Sequence, residues 1–492
     1  MTSRRSSDIR AALDHPIIDG DGHFIELAPM LHDDIVATLE QLGGTNLRDR
    51  YVKGGMRPTD TSTSVQTRTL AGARDVWSAQ PSWWGWPTAN TKDRAAAHLP
   101  GLMHERLDEM GIDFMLIYPS MVMSFLDWNE IDRELGAALC RAVNIHNARL
   151  FAPYRDRITP AAIIPMSSPT EAIAELTYAV RELGYKVGVV SAYARRPIAR
   201  IEREHGPITP PVYRLDHFAL DSEYDYDPFW TKCVELGFSP TCHSSLQYHD
   251  PSRSISNYQF NHIDAMAKSH ESMAKALFLG GVTNRFPSLR FGFLEGGVAW
   301  AVMLYASLIG HWEKRNPAAL VPRLDPASLD VDTLMAYVNR YGDEPTRAHA
   351  DALQRWFSAP GARPDNLDEY AAAGIQCVED VRDRFVPNFY FGCEADDPLL
   401  TWAFDQRVNP LGARLRPIFG SDVSHWDVWD MEEPVAEAWE LVDKGLITEA
   451  DFREFVFTNP LRLHAGNNPG IFDGTRIEAA AREAITRDEH LS

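Results

Sequence analysis

Apolar positions along this chain gather in short unbroken runs, each closing on small or polar residues. The runs are 16–19, 112–118, 158–165, 186–191, 238–243, 289–295, 388–393 and 416–422. A run without polar alternation predicts a strand buried on both faces, as in parallel sheets. Helical patterns separate them. Residues 170–183 read as a helix stopped by Gly184, and 229–236 as one stopped by Gly237, because glycine enters the left-handed conformation that ends a helix. Eight strand–helix units predict an α/β fold, a (β/α)8 TIM barrel. The rival is an open doubly wound sheet, but no GxGxxG follows the first run to favour it.

Three stretches exceed the eight-unit count: 43–100, 197–227 and the mostly helical 316–382. The first holds a Gly, Thr and Ser-rich piece at 54–64 and a cluster of Trp83, Trp84 and Trp86. Insertions after barrel strands lie at the C-terminal face, where active sites are built. They read as lid or specificity elements, as oligomer contacts, or as both. The whole chain reads as a single barrel domain. Residues 298–310 are the most apolar stretch, too short for a bilayer crossing of about 20 residues, and predict a buried helix.

Composition narrows the partners. The chain has 492 residues, 45% hydrophobic and 24% charged, which is ordinary for a soluble globular protein. Its net charge is −21, from 69 acidic and 48 basic residues. That field repels phosphate backbones and anionic lipid, so neither nucleic acid nor a membrane is expected as a partner. Five scattered cysteines, without CxxC spacing, argue against a disulfide framework and for a reducing, cytoplasmic setting. Residues 1–14 are polar, with three arginines and no apolar core, and do not read as a signal peptide.

The ends of the runs carry the chemistry. The first leads into Asp19-Gly20-Asp21-Gly22-His23-Phe24-Ile25-Glu26. Residues two apart in an extended chain share a face, so Asp21 and His23 point the same way. A carboxylate and an imidazole on one face suit a divalent ion. The fifth run ends at Cys242-His243-Ser244, the sixth at Glu295-Gly296-Gly297, and the eighth at Asp422 with His425 just after. In a barrel these ends converge on one cavity. A lone histidine is usually a satisfied core residue, and a lone aspartate is often a helix cap; four or five ligand-type residues at matching ends are not decoration. His262 reads either as a further ligand or as structural. His270, opening a helix over 271–278, reads either as facing the cavity or as structural. Glu26 is expected to orient a ligand.

These motifs resemble the amidohydrolase-related family, in the branch that includes aminocarboxymuconate semialdehyde decarboxylase. The run from Asp19 to Glu26 resembles its opening motif. Arg106-Leu107-Asp108-Glu109-Met110-Gly111-Ile112-Asp113 is a second match, and Phe419-Gly420-Ser421-Asp422 a third. Most specific are Gly280-Gly281-Val282, Phe286-Pro287-Ser288-Leu289-Arg290 and Glu295-Gly296-Gly297-Val298-Ala299-Trp300. Asn459-Pro460-Leu461-Arg462-Leu463 is similar to the family's C-terminal segment. The resemblance implies a divalent metal, zinc or manganese first and iron as the alternative, with one or two ions. It implies His243 as the strand-five ligand and Asp422 as the strand-eight carboxylate. Asp21 and His23 stand where the group has His-x-His or Glu-x-His. Glu295 stands where the decarboxylases place a catalytic histidine. The group's habit also implies a homo-oligomer.

Three readings follow. The first is a metal-dependent hydrolase or non-oxidative decarboxylase acting on a small organic or aromatic acid or amide. Its ligands are drawn from Asp21, His23, His243, Asp422, Glu295 and His262, with Asp422, Glu295 and His270 as acid–base candidates. The second is an O2-dependent hydroxylase with two iron-type ions, suggested by the carboxylate at position 295. The third is a non-catalytic partner subunit that keeps the barrel.

Overall fold

A computed structural model of the chain describes residues 4–53, 70–82, 84–128, 132–206, 212–359, 361 and 363–487. The Gly, Thr and Ser-rich piece at 54–64 and Trp83 lie outside the described residues.

The eight predicted strands all form. They are β1 Ile18–Phe24, β2 Phe114–Pro119, β3 Ile158–Ile163, β4 Val187–Val190, β5 Pro240–Cys242, β6 Phe291–Phe293, β7 Phe389–Cys393 and β8 Pro417–Phe419. They pair in parallel in sequence order in one eight-stranded sheet. Every residue in these strands is buried, which is why the runs lack alternation. The sheet curls into a nearly closed (β/α)8 barrel. The Asp422 N–H donates to the Asp21 carbonyl at 3.0 Å, and the His23 N–H to the Val423 carbonyl at 3.2 Å, joining the last unit to the first.

The helix before Gly184 spans Pro169–Arg181, and the one before Gly237 spans Asp227–Glu235; both glycines have positive φ. The apolar stretch at 298–310 lies in the helix Ala299–Arg315, whose inner face buries Trp300, Leu304, Tyr305 and Leu308. No helix among the described residues is long and apolar enough to cross a membrane.

As expected, β1 runs into the Asp19–Glu26 motif and ends at Phe24, with a bulge between Asp19 and Gly22. The extra residue interrupts the register with β2, a common feature beside functional sites. Two other expectations need correction. Residues 197–227 are not a plain loop: Ala194–Pro197 and Tyr213–Asp216 form an antiparallel hairpin around the helix Ala199–His205. His270 does not open a helix, because Ala265–Leu279 is continuous through it. Its second turn packs on the core, so polar His270 reads locally as a start although apolar burial continues on both sides of it.

Candidate metal centre

The site is built from the β1–β8 seam. Asp19, fully buried, accepts the Ser421 N–H at 3.0 Å, the Ser421 hydroxyl at 2.5 Å and the Asp21 N–H at 3.1 Å. Its carboxylate therefore stitches the two strand ends together. The Ser424 hydroxyl donates to the His23 carbonyl at 2.8 Å. Gly420 has no side chain for a steric reason: a Cβ there would lie 2.9 Å from the Cβ of Asp21. Close approach of these backbones brings Asp21 and His23 face to face with Asp422.

His23 is the hub. Its Nε2 lies 3.0 Å from His243 Nε2, 3.4 Å from Asp21 Oδ1 and 3.4 Å from Asp422 Oδ1. His243 Nε2 lies 3.0 Å from Glu295 Oε2 and 3.7 Å from Asp21 Oδ1. His425 Nδ1 lies 2.7 Å from Asp422 Oδ1 and 4.0 Å from Glu295 Oε2. Two ligand sets result, Asp21–His23–His243 and His23–Glu295–Asp422–His425, each with its ligand atoms within 4.8 Å of one another. They share His23.

This donor set fits a divalent ion. Asp21 Oδ1, Glu295 Oε2 and both oxygens of Asp422 are buried and accept no aligned hydrogen bond. Orphaned buried carboxylate oxygens are destabilising unless a cation faces them. Mixed imidazole and carboxylate ligands suit zinc, manganese or iron. The backbone is strained at the same place. Glu295 and Asp422 have φ of 54° and 49°, in the left-handed region that L side chains avoid.

The electrostatics of the protein groups alone show the crowding. Burial, then Glu295 and Asp19, push the Asp21 carboxyl up to about 8, against the pull of His243. Burial and the neighbouring carboxylates hold Asp422 well above the usual range. Burial pulls the His243 imidazole down, but Asp21 and Glu295 outweigh it and raise it to about 9. Glu295 falls to about 2, because His243, His425 and His262 outweigh its burial. Burial holds His23 well below its ordinary value and takes His425 to about 4. Neutral imidazoles keep the lone pair that metal ligation uses.

The structure thus brings together Asp21, His23, His243, Glu295 and Asp422. It adds His425, absent from the expected ligand set although it follows Asp422 by three positions in the loop after β8. That loop spacing was the available signal. His425 stacks on His23 at 3.8 Å between ring centroids and under Trp86 at 5.8 Å. His262 joins neither ligand set; it stacks on Tyr258 at 5.2 Å and lines an adjacent cavity. His270 is fully buried behind the site, its Nε2 accepting the Ser244 N–H at 3.3 Å, and burial takes it down to about 3. It supports the loop that follows His243 and lines none of the cavities at the cluster. Glu26 accepts the Met121 N–H at 2.9 Å rather than touching a ligand. It fixes the turn carrying Ser120, whose hydroxyl lies 3.5 Å from His23 Nδ1 and 3.4 Å from His425 Nε2.

Cavities open on different sides of the cluster. One of about 280 Å³ is lined by His23, His243 and His425, with Ser120, Tyr193 and Gln247 among its walls. Another, of about 440 Å³, is bounded by Glu295, His262 and Trp426.

The family described as Amidohydrolase matches residues 18–325, a span that includes Asp21, His23, His243 and Glu295 and stops short of Asp422 and His425. The fold is similar to an amidohydrolase from Mycobacterium avium subsp. paratuberculosis K-10, at 17% identity and a TM-score of 0.49, covering 92% of this chain and 100% of that one. It is also similar to 2,6-dihydroxybenzoate decarboxylase from Rhizobium, at 15% identity, TM-score 0.47 and coverages of 92% and 98%. A third is 5-carboxyvanillate decarboxylase from Sphingomonas paucimobilis, at 13% identity, TM-score 0.47 and coverages of 91% and 98%. Likeness at this level does not extend to chemistry. No curated protein matches the sequence.

Proposed function

We propose that this chain, which belongs to the amidohydrolase family, is a divalent-metal enzyme that cleaves a carbon–nitrogen or carbon–carbon bond in a small organic molecule. One observation carries the reading: buried, hydrogen-bond-orphaned carboxylate oxygens meet imidazole nitrogens at the C-terminal ends of the barrel strands. Asp21, His23 and His243 would hold one ion, and Glu295, Asp422 and His425 offer a second position. Zinc or manganese suits these donors. The ion supplies Lewis acidity toward a substrate oxygen.

The chain's own groups do the rest. The substrate sits in the 280 Å³ cavity, against His23, His243 and His425. Ser120 and Gln247 offer hydrogen bonds there, and Tyr193, whose hydroxyl donates to the Ser245 carbonyl at 2.8 Å, forms a fixed wall. Asp422, with His425 at 2.7 Å, handles the proton. In hydrolysis it takes the proton of the attacking water and returns it to the leaving group. In the lyase variant, Asp422 delivers a proton to the carbon that loses its carboxylate. Among the described residues no lysine or arginine lines the cavities beside the cluster, which favours an amide-type bond over a free acid.

A second reading has its own support. Three carboxylates, Asp21, Glu295 and Asp422, with the imidazoles of His23, His243 and His425, suit a dinuclear iron-type centre and an O2-dependent hydroxylation. Metal content decides. Protein purified without chelator is compared with His243→Ala by elemental analysis, alongside turnover of an amide and aromatic-acid panel with and without oxygen. One zinc or manganese per chain, lost in the variant, with anaerobic turnover intact, supports hydrolysis or decarboxylation. Two ions including iron, with turnover abolished by removing oxygen, supports the hydroxylase. Wild-type protein that takes up no metal overturns both.

A further inference from the structure

The 440 Å³ cavity beside the cluster has a one-sided chemistry. Carboxylates of Glu295, Glu394, Asp396, Asp397 and Asp427 line it, and no lysine or arginine does among the described residues. An acidic wall on an acidic protein is usually a solvated face. Here the floor is different: the Glu295 side chain is only 4% exposed and its Oε2 accepts no aligned hydrogen bond. Asp427 Oδ1 is likewise buried without a hydrogen-bond donor. Two aromatic rings share the lining, Trp426 and His262, 5.5 Å apart between centroids; Tyr258 stacks on His262, and Trp84 packs edge-on to Tyr258 at 5.2 Å.

A bare metal ion does not account for these walls. Among the described residues, Glu394, Asp396, Asp397 and Asp427 belong to neither set that brings ligand atoms within 4.8 Å. Their carboxyl groups line one part of a space large enough for a bulkier cation. A carboxylate ligand would meet like charge there. Aromatic faces and carboxylates attract an organic cation through the ring quadrupole and through charge.

We infer that the substrate of this site carries an alkylammonium-type cation that seats between Trp426 and the carboxylates of Glu394, Asp397 and Asp427. This rests on the cluster being the reaction centre, which the cavity adjoins through Glu295.

The test is calorimetric titration of the full-length, metal-loaded protein with choline and with its neutral isostere 3,3-dimethylbutan-1-ol. Choline is expected to bind about tenfold more tightly than the alcohol. Glu394→Gln and Trp426→Leu are each expected to weaken choline about fivefold or more and to leave the alcohol unchanged. Equal binding of the two probes, no binding of choline, or choline binding untouched by both variants overturns the inference. So does displacement of choline by equimolar magnesium. His243→Ala, titrated in parallel, separates this from the enzyme reading. Choline selectivity in protein that takes up no metal leaves an organic-cation site and refutes the metal-enzyme reading; metal uptake without choline selectivity does the reverse.

Discussion

Replacing Gly420 by alanine isolates the geometry of the ligand cluster from its chemistry. The backbone at 420 is outside the left-handed region, so alanine meets no conformational penalty there. The added Cβ would lie 2.9 Å from the Cβ of Asp21, where ordinary contact begins at 3.4 Å. Asp21 must therefore retreat by about 0.5 Å, more than the ~0.2 Å tolerance of a metal–ligand distance. Overpacking of this kind is destabilising by about 1–3 kcal/mol. Metal affinity is expected to fall by about 10–100-fold, the range seen when ligand positioning is disturbed, or about 1.4–2.8 kcal/mol. Chelator competition measures the affinity, and thermal unfolding of the metal-free protein measures the strain. Gly310→Ala is the control: nothing lies within 4 Å of its Cβ, and a helix-interior alanine is expected to stabilise by about 0.5–1 kcal/mol. Gly420→Ala protein with metal affinity within twofold of wild type would refute the idea that this close approach sets the ligand geometry.

Further expectations follow from the same contacts. Asp19→Ala removes the acceptor for two backbone N–H groups and the Ser421 hydroxyl; metal affinity should fall about 10–100-fold, with partial recovery in Asp19→Asn, read by chelator competition. Arg106→Ala leaves Asp93, 4% exposed, without its 2.5 Å partner, and chemical denaturation should show a loss of about 3–5 kcal/mol. Asp216 is pushed up by burial, but the Glu223 and Phe218 N–H groups, Ser222 and Arg196 outweigh this and hold it below its usual range. A depressed carboxylate contributes stability above its unfolded pKa of about 4 and loses it as pH falls through the folded value. Melting temperature should thus drop more steeply below about pH 4 in wild type than in Asp216→Asn.

How the fold was legible is a matter of range. Each barrel strand is buried on both faces, so its apolar run is written locally and bounded by glycine, proline or a polar end; the eight runs, the helix-ending Gly184 and Gly237, and the pairing of Asp21 with His23 two positions on all follow from neighbours in sequence. The bulge after Asp19 was not legible, because it is a register shift against Met115 and Ile117 of β2, far along the chain. The same holds for the histidines. His262, His270 and His425 are alike as letters; the contact of His425 with Asp422 is local, but only barrel closure brings it against His23 and Glu295, leaves His262 on the wall of the acidic cavity and turns His270 inward behind the Ser244 loop. The stitching role of Asp19 and the clearance that Gly420 provides depend on contacts between the two ends of the chain. Local burial and backbone preference act within a few residues and are carried by the sequence itself; the placing of a ligand depends on how distant strand ends meet, and that only the closed tertiary structure decides.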